Sequence, residues 1–92
     1  MAYSDKTVDV VLNAPKTLGS RLGRWAIHLD FPVTKIAQCT GATRQTVYNW
    51  FAGGDMLAPY EDRVAILIKI LESSSNAEDA WRKACQAFAL RT

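Results

Sequence analysis

A chain of 92 residues supports one small hydrophobic core, and its 49% apolar content with three Trp excludes a disordered polypeptide. No run of 18 apolar residues occurs, and the first dozen residues lack the basic start and greasy stretch of a secretory leader, so the expected location is cytoplasmic. Net charge is only +2, but residues 15–54 hold five bases (Lys16, Arg21, Arg24, Lys35, Arg44) against the single acid Asp30, while the remainder sums to −2.

Residues 1–13 admit two readings. Val8 and Val10 alternate with Thr7 and Asp9 as a strand would, whereas Val8, Val11 and Leu12 share one helical face behind a Ser4 or Asp5 cap. A short helix is preferred. Pro15 then breaks the chain and can sit in the first turn of a helix over 16–29. There Leu18, Leu22, Trp25, Ala26 and Leu29 form one stripe, with Lys16, Ser20, Arg21, Arg24 and His28 off it. Gly19 and Gly23 weaken that helix by about 1 kcal/mol each relative to Ala, yet their spacing lets a neighbouring element come close. His28, the one histidine, has no carboxylate or Cys at useful spacing and reads as a surface residue.

Asp30-Phe31-Pro32 stops this helix, because proline denies the helical region to the residue before it. A short helix follows over 33–39, then a turn at Thr40-Gly41-Ala42 in which Gly41 supplies the positive φ. Thr43 is the expected N-cap of a helix over 44–52. Ile36, Ala37, Val47 and Trp50 take the inward positions of this pair. The outward positions of the second helix carry Arg44, Gln45, Thr46, Tyr48 and Asn49, long or hydrogen-bonding side chains with no acid among them. Such a face suits the base edges of a DNA groove.

Gly53-Gly54-Asp55 closes the second helix as a loop, and Pro59 opens another whose Val64, Leu67, Ile68 and Leu71 stripe is widened by Ile66 and Ile70. After the short linker Ser73-Ser74-Ser75-Asn76, a last helix over 77–90 presents Ala77, Ala80, Trp81, Ala84, Cys85 and Phe88 on one side. The linker is too short to divide domains, so residues 1–92 are expected to form one. Apolar surplus on the last two helices points to a homodimer. Trp25, Trp50 and Trp81 lie on apolar stripes and read as core or interface. Cys39 and Cys85, without a CxxC or a ligand partner, read as buried reduced thiols.

The residues from Leu18 to Leu71 resemble the lambda-repressor/Cro-like (XRE-type) helix-turn-helix family of phage and bacterial regulators. The spacing Ala37, Gly41, Val47, Trp50 carries the likeness, and TRQTVYNWFAGG followed by Pro59 and an apolar helix strengthens it. The resemblance implies an all-α, five-helix domain behind the short N-terminal segment, with the motif at 33–52. It implies a homodimer on double-stranded DNA, with the second motif helix in the major groove. Arg44, Gln45, Thr46 and Asn49 become base contacts; Thr34, Lys35, Thr43, Tyr48, Gly53 and Gly54 become phosphate contacts.

Two positions depart from the family. Pro32 and Val33 replace the Gln that often begins its first motif helix, and Phe51 fills a position usually polar. Phe51 reads either as a partly covered aromatic or as a contact with a partner subunit or the DNA backbone. No acid/base constellation, metal-ligand cluster or GxxxxGK[ST] loop supports an enzyme, and no cofactor or small-molecule effector is indicated. The competing reading is a protein-interaction module on the same scaffold, acting on a polymerase or another regulator.

Overall fold

Four of the six helices described start at a side-chain cap, at Ser4, Thr17, Thr43 and Asn76, whereas the third and fifth start at or beside a proline. The computed structural model describes residues 2–90; Met1, Arg91 and Thr92, the ends of the expected domain, lie outside the described residues. Within them are α1 (Asp5–Asn13), α2 (Leu18–Leu29), α3 (Val33–Thr40), α4 (Arg44–Phe51), α5 (Ala58–Glu72) and α6 (Ala77–Ala87), with no strand among the described residues. The fold is all-α. The ambiguous N-terminal segment is a helix: Ser4 accepts from the Thr7 N–H, and Val11 is fully buried on its inner side.

Capping accounts for most boundaries. Thr17 and Ser20 form a reciprocal capping box at the start of α2, and Ser20 Oγ also donates to the Pro15 carbonyl. At its end Asp30 takes φ 58, and the N–H groups of Asp30 and Phe31 return to Ile27 and Ala26. Gly41 takes φ 80 and closes α3, as its place in the turn requires. Thr43 accepts from the Thr46 N–H, and Asn76 caps α6 through Asp79. The last helix stops at Ala87 rather than reaching residue 90. Ala89 turns to φ 54, and the Leu90 N–H closes back on the Cys85 carbonyl.

The core joins all six helices, with Leu22, Phe31, Ile36, Val47, Trp50, Phe51, Leu67 and Leu71 buried in it. The buried side of α2 is Gly19, Ser20, Leu22, Gly23 and Ala26, so the glycines face inward and α4 lies against them. A Cβ on Gly19 would come within 2.5 Å of the Trp50 carbonyl oxygen; one on Gly23 would meet the Phe51 ring at 3.0 Å. The close approach expected from their spacing is therefore present, and its partner is α4.

Phe51 is 1% exposed, which removes it as a surface contact. Tyr3 covers it with ring centroids 5.9 Å apart, and the Tyr3 hydroxyl donates to the Phe31 carbonyl. The Ala2 N–H adds a bond to the Asp30 carboxylate. Residues ahead of α1 thus tie the chain start to the α2–α3 corner and roof the inner end of α4. Burial pushes the Tyr3 phenol far above its ordinary range, reinforced by the nearby Tyr48 and Asp30.

Helix α6 is fastened to α3 and α5 by two cations. Lys35 lies 5.1 Å from the Trp81 ring centroid, and Arg63 lies 5.6 Å from that of Phe88. Arg63 also donates to the Cys39 carbonyl at 2.9 Å, occupying an end carbonyl of α3. Cys39 and Cys85 are free and buried, and burial pushes the Cys39 thiol up to about 12, with Cys85 adding to the rise and Arg63 opposing it. Most of the apolar surplus of the last two helices is absorbed in this packing. Ile66, 46% exposed, is the main residue of it left outside. No helix among the described residues is long and apolar enough to cross a membrane.

Candidate nucleic-acid interface

The amphipathic pattern of α4 divides it cleanly. Val47, Trp50 and Phe51 are buried, whereas Arg44, Gln45, Tyr48 and Asn49 are exposed and Thr46 is half-exposed. Eight residues make just over two turns, so both ends of the helix lie close to its exposed face. The Trp50 ring anchors the inner face against Tyr60 of α5, 5.2 Å between centroids. This anchor fixes which side chains point outward.

On that outer face Gln45 Nε2 donates to Asn49 Oδ1 at 3.2 Å, one helical turn away. The bond leaves Gln45 Oε1 as an acceptor and Asn49 Nδ2 as a donor. That pair of functions complements the adenine edge, which offers N6–H and accepts at N7. Arg44 has no carboxylate partner among the described residues and extends from the first turn, where its charge opposes the helix dipole. An incoming phosphate or a guanine O6/N7 edge would relieve that opposition. Thr43 and Thr46 bond through their hydroxyls at 2.9 Å, and Thr43 also accepts from Thr46 N, so the pair retains one O–H for an outside acceptor.

The two ends of α4 differ in charge and in free donors. At its carboxyl end the Gly54 N–H bonds the Asn49 carbonyl at 2.8 Å and the Gly53 N–H bonds that of Trp50 at 2.9 Å. With Gly53 at φ 90 this is a Schellman motif, which consumes both amides. Gly53 and Gly54, expected to meet phosphate, therefore have no free N–H to offer. Asp55 and Glu61, both exposed, line the same cleft as Gly53 and Gly54 and make that edge unfavourable to an anion.

Helix α3 holds the other two candidate backbone contacts, Thr34 and Lys35. Thr34 is exposed on the first turn of α3, which begins at Pro32 without a side-chain cap, so its hydroxyl and its own N–H are open to an outside acceptor, whereas the Lys35 N–H bonds the Pro32 carbonyl. Lys35, expected at a phosphate, rests instead over Trp81 of α6. Tyr48 leans edge-on against Phe51, centroids 6.2 Å apart, and is 39% exposed. It borders a shallow cleft whose other walls include Lys6, Thr7 and Val10 of α1. No sequence motif pointed to these α1 residues, because the likeness begins at Leu18.

Comparison with protein-family models, curated proteins and solved structures gave no match, so the reading of this surface rests on its own residues and geometry.

Proposed function

We propose that this chain is a sequence-specific double-stranded DNA-binding protein, a regulator of the lambda-repressor/Cro-like helix-turn-helix kind acting as a homodimer. The observation that carries the reading is the outer face of α4: Arg44, Gln45 and Asn49 exposed and acid-free, on a helix whose inner face is anchored by Val47, Trp50 and Phe51. In this reading α4 enters the major groove from its Arg44 end, with the acidic edge at Asp55 and Glu61 turned away from the phosphates. Arg44 takes a guanine, and the Gln45–Asn49 pair takes an adenine with Thr46 beside it. Thr43, Thr34 and Tyr48 hold the backbone. Lys35 joins them only if it leaves Trp81, and Gly53 and Gly54 drop out of the contact set.

Selection of bound duplexes from a randomised pool, followed by sequencing, tests the proposal. The expected result is a pseudo-palindromic consensus containing G and A in each half-site. If each subunit meets ~4 phosphates, the dimer's log–log salt slope is of order −7. Recovery of no consensus at low salt overturns this reading in favour of the protein-interaction module.

A further inference from the structure

The cleft between α1 and α4 has a composition that the helix-turn-helix pair alone does not explain. Its apolar side is Val10, 43% exposed, and the Tyr48 ring, with the buried Phe51 ring behind them; Lys6 and Thr7 line it as well. Among the described residues Lys6 has no carboxylate within ion-pair distance, and neither its ammonium nor the Tyr48 hydroxyl makes a hydrogen bond. The Thr7 hydroxyl accepts from Ser4 Oγ at 3.1 Å and keeps its own proton to donate. Three donors, one of them a full positive charge, therefore border an apolar side directly beside the exposed face of α4.

We propose that this cleft seats one deoxyribose-phosphate unit of the DNA backbone, with the sugar against Val10 and Tyr48 and the phosphate held by Lys6, Thr7 and Tyr48. The inference rests on the DNA-binding reading of α4 and extends it to α1, an element outside the motif. A deoxyribose-phosphate matches the site in kind: a weakly polar ring edge joined to an anion whose oxygens accept only. A free inorganic anion would leave the apolar side unused, and an apolar ligand would leave the ammonium unpaired. In this arrangement α1 sets the lateral position of α4 in the groove, because the Tyr48 ring belongs to both surfaces.

The test uses the full chain and the duplex recovered by selection. Lys6→Ala is expected to weaken binding roughly three- to ten-fold at moderate salt for every sequence alike, and to reduce the salt slope by about 0.9 per subunit. Lys6 is exposed on a helix, so its melting curve stays that of the parent chain. Ethylation of one phosphate per half-site should block the parent protein and leave Lys6→Ala almost indifferent, and Tyr48→Phe should share that indifference in part. Parent-like affinity, slope and interference pattern in Lys6→Ala overturns the cleft while leaving α4 as the reader. Absence of duplex binding by the parent chain overturns both.

Discussion

On the inner side of α4, Val47, Trp50 and Phe51 are each no more than 1% exposed, and the Trp50 backbone lies so near α2 that position 19 has no room for a methyl group. On the outer side, Arg44 and Tyr48 reach solvent, and the one side-chain bond beyond the cap is the Gln45–Asn49 pair. The same two turns thus carry a face determined by sterics and a face that the fold leaves undetermined. Substitutions inside should register as stability and substitutions outside as binding, with little crossover.

The largest effect tests the inner face. Gly19→Ala gains about 1 kcal/mol of helix propensity but drives a Cβ into backbone, which cannot give way as a side-chain tip can. With overpacking against backbone costing about 3 kcal/mol or more, a net loss of at least about 2 kcal/mol is expected in denaturant unfolding. Gly23→Ala meets side chains alone, the Phe51 ring at 3.0 Å and the Val11 methyl at 3.2 Å, which need shift by only a few tenths of an ångström, so its cost should be much smaller. Equal behaviour of the two would mean that α4 does not sit as tightly at Trp50 as its geometry requires.

Next comes the outer face. On the proposed DNA-binding reading, Arg44→Ala should leave the unfolding midpoint unchanged and cost roughly 1–3 kcal/mol of binding at one base position, flattening preference there alone. A uniform loss over all duplexes would reassign Arg44 from a base to a phosphate.

The smallest effect asks whether acid can reach the seat of α4 from elsewhere. Arg82, with the Ser75 N–H and Lys83, holds the Asp79 carboxyl down to about 2 from 3.8. A depressed carboxylate contributes stability above its ordinary pKa and loses it as pH falls through the lowered one. The α6 start should therefore weaken between about pH 4 and pH 2. Asp79→Asn should remove that dependence while leaving Trp50 burial at neutral pH intact, as fluorescence against pH would report.

How much of this was legible in the sequence follows the range of each interaction. Gly41, Thr43, Val47 and Trp50 act within a turn or two, and their roles could be read from spacing. The glycine pair in α2 announced a close neighbour without naming it, because the partner lies some thirty residues further along the chain. Phe51 was unreadable for a related reason. Tyr3 covers it, and nothing local to the motif signals that a tyrosine near the chain start folds back to the α2–α3 corner. Lys35 was assigned to phosphate by its place in the motif, whereas Trp81, far away in sequence, offers it an aromatic face. Gly53 and Gly54 read in the sequence as a loop open to phosphate, but the end of α4 claims both of their amides. Local chemistry was visible; its long-range competitors were not.

The Trp50 seat also furnishes a built-in optical gauge. Its indole is 1% exposed and 5.2 Å from Tyr60, while Trp25 and Trp81 are only half-buried. With those two replaced by phenylalanine, a single tryptophan would remain at the joint between α2, α4 and α5. Its colour and quenching would then follow the lifting of one helix, separately from the melting of the whole chain.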